Sequence, residues 1–213
     1  MNLKTEYSAA GPMDQGGTLR LFVNGKPAGE GKIHWRLSGK SGGNGFALVL
    51  DPGRRAAYRR SVRTLVILLA TAGGVGYVPI ASGTFGSMVA VPFLPGLAAL
   101  RSGAPLVYAA IVAVVIAVAI WSAGRAEAIF GGKDHARIVI DEVAGQVIAG
   151  AFVPGTWTAA ALAFFLFRLF DVLKPWPADL FDRQVPGGVG VVGDDLIAGA
   201  YAGAAAWLTL RLV

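Results

Sequence analysis

Five apolar runs follow a polar N-terminal arm, and they cover roughly residues 64–80, 87–100, 105–124, 143–166 and 196–210. The third run has 20 residues without a charge, which is enough for a helix to cross a membrane. Runs 87–100 and 196–210 are shorter than a full span, so we expect them to be buried, tilted or re-entrant. Pro154-Gly155 divides run 143–166 into two helices that meet at a turn. The pattern predicts an all-α fold, a compact membrane-associated bundle of about four to six helices.

The N-terminal arm has a different pattern. Residues 18–23 and 32–37 alternate between apolar and polar positions, and residues 24–27 between them have the composition of a turn. This predicts a small β-hairpin, or no stable structure, because an isolated hairpin is only marginally stable in water. We therefore divide the chain into a basic N-terminal extension, residues 1–60, and a helical domain, residues 61–213.

Composition supports a membrane protein. The chain is 54% hydrophobic and 15% charged, whereas soluble domains carry about 25% charged residues. Residues 1–60 contain ten Lys/Arg and four Asp/Glu, and residues 61–213 contain nine of each, so the net charge of +6 belongs to the arm. Five arginines precede the first apolar run and are typical of a positive-inside cluster at a membrane, not of a nucleic-acid site: Arg54, Arg55, Arg59, Arg60 and Arg63.

The shortage of histidine and cysteine limits the chemistry. The chain has two histidines, His34 and His135, and no cysteine. Phosphatases with a histidine nucleophile and serine–histidine triads are therefore not predicted. Acidic residues acting with a metal ion are the chemistry that remains.

Two segments in the helical domain carry the first candidate site residues. We expect residues 82–87 to form a small polar loop between two apolar runs. Its amides and hydroxyls could cradle phosphate, or simply form a helix cap and turn; its candidate residues are Gly83, Thr84, Gly86 and Ser87. Asp141 and Glu142 suit a Mg²⁺ site, or favour a helix N-terminus through its dipole. Asp134 would share a face with Asp141 if the segment between them is helical.

Two further segments follow. Arg168, Asp171 and Lys174 are spaced i, i+3, i+6 before Pro175, which fits a phosphate-binding face or an intrahelical ion pair. Asp194 and Asp195 follow the glycine-rich residues 187–193, which we interpret as a loop before a helix. Two adjacent carboxylates raise each other's pKa unless a cation neutralises them, and either a metal ion or a Lys or Arg could do so.

These four segments, in this order, resemble the phosphatidylglycerophosphatase A family over roughly residues 65–205. The matching pieces are residues 83–87, 138–142 with Gly145, 167–177, and 181–183 through 187–190 to 194–195 and 198–199. Gly193 stands where the family usually has an apolar residue, and residues 1–60 have no counterpart that we recognise. The resemblance implies a compact helical Mg²⁺-dependent phosphatase that converts phosphatidylglycerophosphate to phosphatidylglycerol and phosphate.

On this basis we expect three groups of site residues. Mg²⁺ would be held by Asp141, Glu142, Asp194 and Asp195. The catalytic carboxylates would be Asp171, Asp194 and Asp195, with Asp171 as a further ligand or as the base. A nucleophilic aspartate is the alternative to attack by water. The phosphate would be bound by Arg168 and Lys174 and by residues 83–87, namely Gly83, Thr84, Gly86 and Ser87.

Two alternatives remain open at this point. One is a phosphatase of a different phosphomonoester, and the other is a small transporter with intramembrane carboxylates. The expected partner is an anionic phospholipid substrate, with no nucleic acid and no identifiable protein partner. The resemblance implies the bacterial inner (cytoplasmic) membrane, with the active site facing the cytoplasm.

Overall fold

A computed structural model describes residues 3–9, 17–33, 52–132 and 134–212. The chain forms two compact units, Met1–Val62 and Arg63–Val213. Within the described residues there are three strands and eight α-helices. The helices are α1 (Pro52–Ala70), α2 (Ser82–Ala90), α3 (Leu94–Gly103), α4 (Pro105–Phe130), α5 (Ile140–Gly150), α6 (Trp157–Leu173), α7 (Ala178–Gln184) and α8 (Gly187–Leu212). Short 3₁₀ turns lie at Val75–Tyr77 and Val91–Phe93.

The first unit contains an antiparallel three-stranded sheet of β1 (Leu3–Ala9), β2 (Gly17–Val23) and β3 (Lys26–Ile33), in that order. Asn24 and Gly25 both have positive φ, which fits a tight two-residue turn between β2 and β3. The predicted hairpin is therefore present. The second strand was predicted at residues 32–37 but begins at Lys26, and residues 34–37 lie outside the described residues.

The all-α fold class of the second unit is confirmed. Helix α8 lies in the middle of this unit and packs against α4, α5, α6 and α7. Its contacts depend on small residues, because a Cβ on Gly199 would overlap the Gly145 carbonyl oxygen, and one on Gly203 would lie 2.9 Å from the Ala149 carbonyl oxygen. The core of α5, α6 and α8 is made mainly of alanine, with Phe167 as its largest buried side chain. This close packing is typical of helices in membranes.

Three helical stretches are long and apolar enough to cross a membrane: Ser82–Gly103, Pro105–Phe130 and Gly187–Leu212. The predicted span at 105–124 is contained in α4. The runs at 87–100 and 196–210 lie within helical stretches that are longer than the apolar pattern predicted. In the first case α2 and α3 continue each other through a 3₁₀ turn, and in the second the helix begins at Gly187.

Candidate active site

The N-terminus of α5 positions the first pair of carboxylates. Gly131, with a positive φ, ends α4, and the returning chain is fixed where the Val139 amide donates to the Ala70 carbonyl oxygen, 2.9 Å. Helix α5 starts at the next residue, so Asp141 and Glu142 lie in its first turn. A helix N-terminus stabilises negative charge. Asp141 is nevertheless buried, which makes this more than a solvated helix end.

Helix α8 adds a third carboxylate. Ligand oxygens of Asp141, Glu142 and Asp195 all lie within 4.8 Å of one another. We call these three residues the acidic triad. The approach of the two helices depends on Gly145, since a Cβ there would lie 2.5 Å from Cε2 of Phe167 and 2.6 Å from the carbonyl oxygen of Asp195.

The acidic triad fits a divalent metal ion. Asp141 Oδ1 and Glu142 Oε2 are buried and have no hydrogen-bond partner. Burial, followed by the charge of Glu142, raises the pKa of the Asp141 carboxyl well above its usual value. Grouped carboxylates that lack donors need a proton or a cation, and carboxylate oxygens are the ligands that Mg²⁺ and Ca²⁺ prefer.

A cation from α6 lies beside the triad. Arg168 Nη1 lies 2.5 Å from Asp171 Oδ2 and donates a long hydrogen bond, 3.4 Å, to Ser87 Oγ. The carboxylate of Asp171 in turn neighbours that of Asp195. The structure thus brings Arg168 and Asp171 to the triad, and their pairing within α6 is one of the two arrangements that the spacing allowed.

Helix α2 forms the other side of this region. Gly83 is buried against the site, since a Cβ there would overlap Glu142 Oε1 and lie 3.3 Å from Arg168 Nη1. Ser87 Oγ donates to the Gly83 carbonyl oxygen and accepts from Arg168. Gly86, in contrast, packs on Val139. The Thr84 amide bonds the Ala81 carbonyl oxygen, so it belongs to the first turn of a helix and not to an open cradle.

Lys174 and Asp194 form a separate ion-pair group. Lys174 ends α6 in a left-handed conformation, and its Nζ lies 2.7 Å from Asp194 Oδ2 and 3.3 Å from Asp182 Oδ2. Burial lowers the pKa of Lys174, but the hydrogen bonds and charges of Asp194 and Asp182 outweigh it, so the pKa is raised. Asp194 Oδ2 is therefore paired with a lysine, its Oδ1 is buried without a partner, and the residue lies outside the acidic triad.

Asp134 does not extend α5. It lies in a turn with positive φ, and its amide donates to Glu127 Oε1, 3.2 Å. The helix that would place it on one face with Asp141 does not form, because α5 begins only at Ile140.

Sequence reasoning missed Gln146. This side chain is fully buried one turn after Glu142, and both of its amide atoms lack a hydrogen-bond partner. Within the described residues, Asp141, Glu142 and Gln146 thus place four unpartnered polar atoms on successive turns of α5. The i+4 spacing from Glu142 in an otherwise apolar run is the signal that could have found it.

A model of the family described as phosphatidylglycerophosphatase A matches residues 68–210, which include every site residue above. The chain belongs to this family. The resemblance drawn from the motifs is therefore confirmed.

Three curated relatives are similar in sequence to this chain. It is 37% identical to "Phosphatidylglycerophosphatase A" of Escherichia coli over 62% of this chain and 76% of the relative. A protein of Bacteroides thetaiotaomicron named "Putative phosphatidylinositol-3-phosphatase" is 36% identical over 64% of this chain and 88% of its own length. "Phosphatidylglycerophosphatase A" of Haemophilus influenzae is 34% identical over 63% and 82%. No solved structure matches the chain significantly.

Proposed function

We propose that this protein is a Mg²⁺-dependent phosphatidylglycerophosphatase that hydrolyses phosphatidylglycerophosphate to phosphatidylglycerol and inorganic phosphate. Membership of the family supports the reaction. The observation that carries the proposal is the convergence of the acidic triad with Arg168 and Gly83 at one place between α2, α5, α6 and α8. Paired binding of a metal ion and a phosphate needs this combination of carboxylates and a cation.

Arg168 is the residue that we assign to the phosphate. Its guanidinium offers several N–H donors in a fixed fork, and this geometry suits the oxygens of a phosphomonoester. Asp171 and Ser87 hold the guanidinium near the triad from two directions. Lys174 would add a second positive charge only by leaving one of its two carboxylate partners, so we give it the smaller share of phosphate binding.

The acidic triad would hold Mg²⁺, with Asp141 and Glu142 from α5 and Asp195 from α8. When bound, Mg²⁺ supplies Lewis-acid polarisation of the phosphoryl group and makes water a stronger nucleophile at neutral pH. Asp194 lies beside Asp195 in sequence. Lys174 holds its Oδ2, while its Oδ1 is buried without a partner, so Asp194 could add a ligand oxygen next to the triad.

Asp171 is our candidate for the general base. Its carboxylate lies between Arg168 and Asp195, close to where the phosphate and the metal would meet. In the proposed step the water oxygen forms a bond to phosphorus, the water proton passes to the Asp171 carboxylate, and the ester P–O bond breaks. The leaving glycerol oxygen then takes that proton from Asp171, which restores the carboxylate and completes the hydrolysis.

The membrane setting supports a lipid substrate. Three stretches could cross a bilayer, and Arg59, Arg60 and Arg63 are exposed on α1 before its apolar end. Lys and Arg beside a span favour the cytoplasmic side and attract anionic lipid. We therefore propose the bacterial inner membrane, with the active site facing the cytoplasm.

A second lipid substrate is a specific rival, because one relative of similar identity is named for a phosphorylated inositol lipid. The test is phosphate release by purified protein in detergent with three substrates: phosphatidylglycerophosphate, phosphatidylinositol 3-phosphate and glycerol 3-phosphate. We expect the highest kcat/KM for phosphatidylglycerophosphate. A higher value for the inositol lipid would move the assignment to that relative's substrate, and a higher value for glycerol 3-phosphate would make the substrate a soluble phosphomonoester.

A further inference from the structure

Helix α6 has an uncovered apolar stripe beside the candidate active site. Phe165, Leu169 and Val172 lie at helical spacing and are 69%, 50% and 74% exposed. The opposite face of α6, which includes Ala159, Ala163 and Phe167, is buried in the core with α5 and α8. We call Phe165, Leu169 and Val172 the α6 stripe.

The length and ends of α6 suit a membrane. Its 17 residues give a helix about 25 Å long at about 1.5 Å per residue, close to the thickness of a bilayer's hydrocarbon core. Trp157 begins the helix and Trp176 follows its end, and both are well exposed. Tryptophans at both ends of an apolar helix are typical of the two membrane interfaces. Although α6 is shorter than the three candidate spans, these features suit contact between the α6 stripe and lipid.

The cation Arg168 lies at one border of this apolar surface. Arg168 is next to Leu169 and one turn from Phe165 and Val172, and its side chain is 22% exposed. Its guanidinium points towards Asp171, one turn nearer to the Trp176 end. An anionic head group bound by Arg168 would thus leave its apolar tails beside the stripe, a complementarity that fits a lipid and not a soluble phosphate ester.

We propose that the α6 stripe is the docking surface for the acyl chains of one phosphomonoester glycerolipid, whose head group reaches Arg168 from the side, within the membrane. This inference rests on the proposed function and adds the route and orientation of the substrate. A second copy of the chain is the less favoured occupant. Helices that pair in membranes use small residues at the contact. Ala159, Ala160 and Ala163 of α6 face inward, and the exposed face carries large side chains except at Ala161.

The absence of cysteine from the chain allows a direct test. Single-cysteine variants Leu169→Cys and Val172→Cys, labelled with a small fluorophore, are placed in phosphatidylcholine vesicles with a chelator present so that no lipid is hydrolysed. The quenchers are lipids with brominated acyl chains, either phosphatidic acid, a phosphomonoester, or phosphatidylserine, an anionic phosphodiester. The matched control is Val114→Cys, an exposed apolar position on α4.

We expect half-maximal quenching of both α6 labels at about a tenfold lower mole fraction of phosphatidic acid than of phosphatidylserine, since an extra charge-assisted contact of about 1.4 kcal/mol gives that ratio. The Val114 label should show no preference, and Arg168→Gln should remove the preference at Leu169. Equal quenching of the α6 labels by both lipids would mean only ordinary bilayer contact and would overturn the proposal. Protection of the α6 labels from both quenchers would indicate a second copy and would also overturn it.

Failure of the proposed function can be distinguished from failure of the docking surface. If the unlabelled protein releases no phosphate from phosphatidylglycerophosphate while the α6 labels still prefer phosphatidic acid, the docking surface stands and the reaction is wrong. If phosphate is released but the labels show no preference, the reaction stands and the route along α6 is wrong.

Discussion

Gly83→Ala gives the sharpest test of the site's geometry. The added methyl group would overlap Glu142 Oε1 and lie 3.3 Å from Arg168 Nη1. The overlapping atom is the end of a flexible side chain, so the fold can accommodate the methyl group by moving the Glu142 carboxylate. A displacement of about 1 Å at a catalytic group lowers activity about 100-fold, which corresponds to about 2.7 kcal/mol of transition-state stabilisation.

The matched control is Gly96→Ala on α3, where an added Cβ meets nothing within 4 Å. Both changes replace a helical glycine, which by itself stabilises a helix by about 0.5–1 kcal/mol. We expect Gly83→Ala to keep the wild-type melting temperature in detergent while kcat/KM for phosphatidylglycerophosphate falls about 100-fold. Gly96→Ala should retain full activity. Retention of more than about half of the wild-type kcat/KM by Gly83→Ala would correspond to a loss of under about 0.5 kcal/mol of transition-state stabilisation. The placement of Glu142 in the active site would then be wrong.

Three further predictions follow from the same contacts. Arg168→Lys should lower kcat/KM about tenfold or more, because lysine lacks the fork that binds two phosphate oxygens; unchanged steady-state kinetics would exclude the clamp. Lys174→Met leaves the Asp194 carboxylate, only 7% exposed, without its nearest cation. We expect the free energy of unfolding to fall by about 1 kcal/mol, allowing for solvent at the lysine. Thermal unfolding should detect this loss, and adding Asp194→Asn should restore part of it. Burial raises the pKa of Asp141, so a proton competes with Mg²⁺ for the triad. The affinity for Mg²⁺ should therefore rise with pH, and calorimetry in two buffers of different ionisation enthalpy should detect proton release. An affinity independent of pH would contradict this competition.

The apolar pattern was enough to predict most of the helices. Pro154-Gly155 does separate α5 from α6, and the uncharged run 105–124 is part of α4. These features depend on local sequence, namely a helix-breaking dipeptide and a continuous apolar segment. Local rules were therefore sufficient there.

The glycine-rich residues 187–193 could not be assigned in this way. Glycine disfavours helices, and we predicted a loop, yet the segment forms the first two turns of α8. The structure gives the reason: a Cβ on Gly188 would overlap the Ile120 carbonyl oxygen, and one on Gly193 would overlap the Phe181 ring. Tertiary packing against α4 and α7 determines the residue type here. As a result, Asp194 and Asp195 lie inside a helix and not at its start.

The sequence also could not predict which carboxylates join the acidic triad and which pair with a lysine. Adjacent residues in a helix point about 100° apart, so different surroundings for Asp194 and Asp195 are expected. The sequence does not identify their partners, because these come from distant segments. Lys174 reaches Asp194 from the end of α6, and Asp195 reaches Asp141 and Glu142 on α5. The spacing of charges along the chain could identify both possibilities, a metal or a lysine. The fold pairs Asp194 with the lysine and places Asp195 in the acidic triad.

The central claim is that the acidic triad supports Mg²⁺-dependent release of phosphate from phosphatidylglycerophosphate. The most direct measurement compares wild type, Asp195→Asn and Glu127→Gln, a carboxylate outside the triad, in detergent with Mg²⁺ or with a chelator. We predict release by wild type and Glu127→Gln with Mg²⁺ alone, and none by Asp195→Asn, which should still insert into membranes. Full activity of Asp195→Asn, or release by wild type in the presence of the chelator, would contradict the account.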